Sequence, residues 1–255
     1  MVPRLQIDDD RIWYVRNGAQ VGDRPALLLI HGAGGSHLLW PPQLRALPEQ
    51  MVLALDLPGH GRSAGPGRDT VAGYATAVIN LMDALDLEQA VLGGHSMGGA
   101  ISLWAALEYP QRVAALVLMA TGARLRVAPA IVDGLLTDLE GTLNLIASWS
   151  YGPAAPDGVR QLAVRAMQEA NPPVTRGDFL ACDQYDVRDR LAEIKVPTLV
   201  LSGSDDKMTP PKFAEYLVSQ IPHAELRVFQ NAGHMLTLEQ PDQVAEAVQQ
   251  FLSRF

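Results

Sequence analysis

The chain has almost no cysteine. Cys182 is the only one in 255 residues, so no disulfide can close within it and nothing points to an oxidising compartment. An inert, half-buried thiol is the expectation for it. Long apolar runs are missing as well: the longest, Val113 to Ala120, falls far short of the roughly 18 residues that a membrane-spanning helix needs. Met1 to Asp10 carries three acids and no apolar stretch of the signal-peptide kind. These features lead to the expectation of a cytoplasmic protein with no membrane insertion. Positive charge is scarce and scattered, with 20 Lys and Arg against 28 Asp and Glu for a net charge of -8. No basic run offers the surface that displaces counterions from nucleic acid, so no nucleic-acid partner is expected. There is no H-E-x-x-H, no cysteine pair and no carboxylate-histidine cluster, which argues against a bound metal. Repeats, low-complexity tracts and flexible linkers are lacking too, and residues 1–255 read as a single domain.

What is present is an alternation of short apolar runs with amphipathic stretches. The opening segment reads as a hairpin, with Leu5 and Ile7, a turn at Asp8-Asp9-Asp10, then Ile12 to Val15. The runs Leu27 to Ile30, Met51 to Leu55, Ala90 to Leu92, Ala114 to Met119, Thr198 to Leu201 and Leu226 to Phe229 show no clean polar alternation. That is the pattern of strands buried on both faces of a parallel sheet. Thr70 to Leu85, Met97 to Glu108, Pro211 to Ile221 and Gln240 to Leu252 read as crossover helices, giving a doubly wound α/β fold. Between about residues 122 and 190 no strand is expected. Ile131, Leu135, Leu136, Leu139 and Leu143 fit one helix face there, and the stretch reads as a helical cap inserted between core segments 1–121 and 191–255.

The chemistry sits at the ends of these strands. A serine hydroxyl is a poor nucleophile near neutrality, so acyl transfer needs a base for its proton and donors for the oxyanion. Gly94-His95-Ser96-Met97-Gly98 follows one strand and opens a helix, the strand-turn-helix context in which G-x-S-x-G presents a nucleophilic serine. His31-Gly32-Ala33-Gly34-Gly35 follows another strand and would offer a backbone N–H from Ala33 to pair with that of Met97. A dinucleotide loop is the rival, but G-x-G-x-x-G counted from Gly32 meets His37 at the third glycine. No cofactor is therefore expected. An acid and a histidine must follow the serine in that order; Asp205 and Asp206 come just after Thr198 to Leu201, and His234 lies beyond Leu226 to Phe229.

With these parts the sequence resembles the α/β-hydrolase superfamily, in its cap-bearing carboxylesterase and lipase-like branch. The turn Asp56-Leu57-Pro58-Gly59-His60-Gly61-Arg62-Ser63, Val196-Pro197-Thr198 before the acid, and Gly233-His234 extend the likeness. The resemblance implies that the acid is the third residue after Gly203, hence Asp206, with Asp205 as the alternative. It implies a triad of Ser96, His234 and Asp206 acting on a small or medium ester with a hydrophobic acyl or alcohol group. Carbon-carbon bond hydrolases, enol-lactonases and perhydrolases share that triad, although the first usually carry Trp where this chain has Met235. A small-molecule receptor with slow turnover is the alternative of another class.

Trp149, Leu143, Ile146, Met167 and Met235 are candidates for the substrate pocket, although apolar residues at helical spacing more often pack against their own helices. Of the other histidines, His31 and His60 belong to turns and His223 to a surface loop. His95 adjoins the nucleophile, but its side chain is expected to leave the elbow in another direction and not to serve as the base.

Overall fold

Six runs of four to seven residues become parallel strands, and five of them bury side chains on both faces. The computed structural model describes residues 4–7, 10–155, 157–168 and 170–255. Its strands are β1 (Arg4–Ile7), β2 (Asp10–Asn17), β3 (Ala26–Ile30), β4 (Val52–Leu55), β5 (Ala90–His95), β6 (Val113–Met119), β7 (Thr198–Gly203) and β8 (Ala224–Phe229). They lie in the order β1-β2-β4-β3-β5-β6-β7-β8. β1 pairs antiparallel with β2, and β2 with β4; every later pairing is parallel. The expected opening hairpin is thus present in its strands, while Asp8 and Asp9 of its turn lie outside the described residues.

The helices are α1 (Pro42–Arg45), α2 (Val71–Ala84), α3 (Met97–Glu108), α4 (Pro129–Thr137), α5 (Leu139–Ser150), α6 (Asp157–Gln168), α7 (Pro172–Gln184), α8 (Pro211–Gln220), α9 (Leu236–Glu239) and α10 (Pro241–Leu252). Side chains alternate across a strand, so each strand feeds two layers. Leu28, Ile30, Leu53, Leu92, Leu116 and Val200 pack with Val78 of α2, Ile101 of α3 and Leu217 of α8. Leu27, Leu29, Val52, Val91, Val117 and Leu201 pack on the opposite face with Leu44 of α1 and Val244, Val248 and Phe251 of α10. The result is the doubly wound α/β-hydrolase fold.

Three expectations need correction. β8 is an edge strand with Arg227 and Val228 exposed, because nothing pairs beyond it among the described residues. The single helix face from Ile131 to Leu143 is two helices: Asp138 leaves helical geometry and caps α5 by accepting from the Gly141 N–H, which turns Leu136 out to solvent. Cys182 is fully rather than half buried, and burial pushes its thiol far above the ordinary range, with Asp178 and Asp183 adding to the effect.

α4 to α7 all lie between β6 and β7. The chain leaves and re-enters the core at one place, where Val187 N–H donates to Ala123 O at 2.8 Å and Arg124 bridges to Asp186. Among the described residues, no helix is long and apolar enough to cross a membrane.

Candidate active site

The strand order reverses at β3, where the chain steps to β4 on one side and returns to β5 on the other. Ligands of open α/β sheets bind outside the carboxyl ends at such a point, because the flanking loops part there. Ile30 is in register with Gly94, so the loop after β3 and the Ser96 turn emerge side by side.

Ser96 has φ 53° and ψ -115°, a backbone state that costs a non-glycine residue roughly 1–3 kcal/mol. The surroundings over-determine it. Its N–H donates to Met119 O at 2.9 Å, and its carbonyl accepts from Thr121 Oγ1 at 2.8 Å and Gly99 N at 2.9 Å. A Cβ on Gly98 would strike the Ile30 carbonyl oxygen, so α3 can approach β3 this closely only with glycine there. Met97 is the first residue of α3, where the helical ladder leaves the N–H unused. The Ala33 N–H likewise has no hydrogen-bond partner among the described residues.

Asp206 and His234 face each other from the ends of β7 and β8. Asp206 Oδ2 lies 2.9 Å from His234 Nδ1, and both side chains are buried. Asp206 also accepts from Met208 N and Thr209 N at 2.8 Å and from Thr209 Oγ1 at 2.7 Å. Burial by itself raises the Asp206 pKa, but the His234 charge and the hydrogen bonds from His234 and Thr209 outweigh it and hold the acid below the ordinary carboxylate range. Asp205 does not face His234: its carboxylate accepts from Ser204 Oγ at 2.9 Å. With a carboxylate on Nδ1, the neutral tautomer of His234 carries its proton there and presents Nε2 as the acceptor.

His95 is turned toward His234. Its ring packs against that of His234 with centroids 4.8 Å apart, and its Nε2 donates to the His234 carbonyl at 2.9 Å. Burial lowers its pKa to about 3, and His234 adds to the shift, so the ring is neutral and holds the His234 backbone beside the elbow. Ser96 Oγ and His234 make no hydrogen bond to each other among the described residues. Glu239 supports the same loop: it accepts from Gly233 N and Gly152 N, each at 2.9 Å, and so ties the end of α5 to the approach to His234.

Four of the five pocket candidates gather above the loop after β3. Leu143 and Ile146 are buried with Ile131, Leu135 and Phe179, while Trp149, Met167, Met208 and Ala33 pack partly buried against them. Met235 is half-buried and stands outside this cluster. No group of three or more His, Cys, Asp or Glu side chains is placed to hold a metal among the described residues. Sequence reasoning missed Thr209, His37 and Asp178. His37 Nδ1 lies 2.8 Å from Asp56 Oδ1, a pair closed inside the core, and His31 is buried with Nδ1 donating to Gly32 O at 2.8 Å. His223 is exposed, as the sequence implies.

Known proteins share this fold. The chain is 32% identical, with 96% of each chain covered, to a Caulobacter sp. (strain K31) protein named as a carbamate hydrolase, RutD. It is 28% identical to 3-oxoadipate enol-lactonase 2 of Acinetobacter baylyi, covering 91% of this chain and 90% of that one. A solved hydrolase from Pseudomonas aeruginosa superposes with a TM-score of 0.87 at 30% identity over 98% of both chains. The sequence pattern of the Alpha/beta hydrolase family matches residues 27–247. The chain belongs to that family and is a hydrolase.

Proposed function

We propose that the protein is a serine hydrolase that cleaves a small or medium carboxylic ester through an acyl-enzyme, with Ser96, His234 and Asp206 as its triad. The observation that carries this is the buried Asp206-His234 pair, held beside the strained Ser96 elbow by the bond from His95 to the His234 carbonyl. Ser96 Oγ attacks the ester carbonyl carbon while His234 Nε2 takes its proton. The carbonyl oxygen becomes an oxyanion, held by the N–H groups of Ala33 and Met97. Collapse expels the alcohol, which takes the proton from His234. Water, deprotonated by His234, then attacks the acyl carbon, and Ser96 leaves with the proton returned.

The inserted helices act as a cap, and Trp149, Leu143, Ile146 and Met167 line or underlie an apolar acyl site next to Ala33. Met235 follows the base. A cyclic ester is the second reading, favoured by the likeness to an enol-lactonase.

A fluorophosphonate probe should label the wild type and fail to label Ser96→Ala, which should also lose turnover of p-nitrophenyl esters. Undiminished labelling or turnover in that variant would overturn the assignment. A chain-length series run beside phenolic lactones, a carbamate and a dienone separates the substrate classes. Faster turnover of the dienone would replace the ester reading with carbon-carbon cleavage. No turnover of any substrate, with a ligand raising Tm, would replace it with a receptor.

A further inference from the structure

α7 carries a carboxylate that is fully buried outside the triad. Asp178 Oδ2 accepts from Gly34 N at 2.8 Å and from His60 Nε2 at 2.7 Å, and Oδ1 accepts from Tyr74 Oη at 2.6 Å. Its three donors come from three places: the loop after β3, the turn after β4, and α2. A lone carboxylate in such a place would be prohibitively costly, so it must be paired. His60 supplies the charge. Its Nδ1 faces Pro58 O at 3.0 Å and its Nε2 faces Asp178, so both ring nitrogens donate and the ring is an imidazolium. The other groups facing it are Tyr74, Asp56 and His31. His31 is neutral, because its Nε2 accepts from Leu57 N at 3.0 Å while Nδ1 donates to Gly32 O.

These contacts bracket Ala33. The peptide that carries the Ala33 N–H is held at its other end, the Gly32 carbonyl, by His31 and by Gly35 N at 3.1 Å. The next peptide is held at the Gly34 N–H by Asp178, with Gly34 in the left-handed region at φ 62°. Both peptide planes beside Ala33 are therefore fixed by buried groups, and one of those groups belongs to the inserted helices.

We propose that Asp178 is a positioning residue for acyl transfer: it orients the loop after β3 so that the Ala33 N–H meets the oxyanion, and docking of the inserted helices assembles that donor. This rests on the reading of Ala33 given above. A buried ion pair contributes little net stability compared with an apolar replacement, so its charge and direction, rather than its energy, are what the site requires.

Three variants test this: Asp178→Leu removes the acceptor, Asp178→Asn keeps an oxygen but drops the charge, and Tyr74→Phe removes one of the carboxylate's three donors. Each is first checked for a cooperative Tm. With p-nitrophenyl butyrate, kcat should fall about 100-fold in Asp178→Leu, the scale of one lost oxyanion donor, and less in Asp178→Asn. KM should change less than about threefold. Affinity for a trifluoromethyl ketone, which forms the tetrahedral adduct, should fall in step with kcat/KM. Amide exchange in residues 32–36 should speed up while α3 stays protected. Should Asp178→Leu not fold, the same pattern read in Asp178→Asn and Tyr74→Phe decides. A folded variant with kcat within twofold of wild type, or a rise in KM alone, overturns the proposal. If the wild type takes no fluorophosphonate at Ser96, the acyl-transfer reading fails by itself; unchanged exchange in residues 32–36 would then refute the positioning role separately.

Discussion

Thr209 donates its hydroxyl to Asp206 Oδ2 at 2.7 Å, the same carboxylate oxygen that faces His234 Nδ1. Its own oxygen lies 3.2 Å from that Nδ1, so it closes a three-membered set with the acid and the base. The hydroxyl fixes which lone pair of Asp206 is left for His234. Thr209→Val keeps the shape and removes this donor, while the N–H bonds from Met208 and Thr209 persist. A hydrogen bond to a charged group contributes about 1.5–3 kcal/mol. If roughly half of that is felt at the transition state, kcat for a chromogenic ester should fall about three- to tenfold with KM little changed. Thr209→Ser should restore most of it, and a valine variant with full kcat would show that the hydroxyl is dispensable.

The elbow makes a prediction about glycine that is independent of substrate. A Cβ on Gly98 meets the Ile30 carbonyl oxygen, and backbone atoms cannot move aside as a flexible side chain can. Gly158, near the start of α6, meets nothing within 4 Å and has no positive φ. Gly98→Ala should therefore cost more than about 3 kcal/mol, seen as a large loss of Tm or of soluble protein. Gly158→Ala should raise Tm by about 1–3 °C, because alanine forms helix more readily than glycine by up to about 1 kcal/mol. Equal effects at the two positions would contradict the packing of α3 on β3.

Much of this architecture is legible in the chain itself, for local reasons. The apolar runs and the helices between them follow from periodicity, and α3 begins at Met97 because the Ser96 turn forces a change of direction there. Chain order brings Ser96, Asp206 and His234 to the ends of β5, β7 and β8. What local patterning does not carry is contact across distance. Asp178 lies 144 residues from Gly34, and on its own helix it resembles any polar residue of an amphipathic face. Asp205 and Asp206 differ only by which side of a turn each faces, which composition does not encode. His95 illustrates the same limit: its direction is set by the loop that brings His234 back over β7, a tertiary feature. The break between α4 and α5 was readable in principle from Asp138, three residues before Gly141, as an N-cap signal inside an apolar period.

Buried histidines of opposite tendency set the dependence of stability on pH. Burial lowers His95 to about 3, and it lowers His31 as well, so neither is protonated in the folded protein near neutrality. Unfolding restores both to an ordinary value near 6.5. Below that pH the unfolded chain binds protons that the folded chain does not, and stability falls as pH falls. Asp206, held below its ordinary value, adds to this loss at more acid pH, where folding can no longer keep it ionised. His60 behaves in the opposite sense. Burial alone would lower it, but the hydrogen bond and charge of Asp178 outweigh burial and raise it. Its contribution is complete below about 6.5 and is lost as pH rises through its higher folded value. Tm should therefore peak near pH 6.5 and decline on both sides in a scan from about pH 4.5 to 9. His60→Gln should lower Tm at neutral pH, by leaving Asp178 without its cation, and should flatten the alkaline decline while preserving the acid one. An unchanged alkaline limb in that variant would assign the decline to other groups and remove His60 as the cation paired with Asp178.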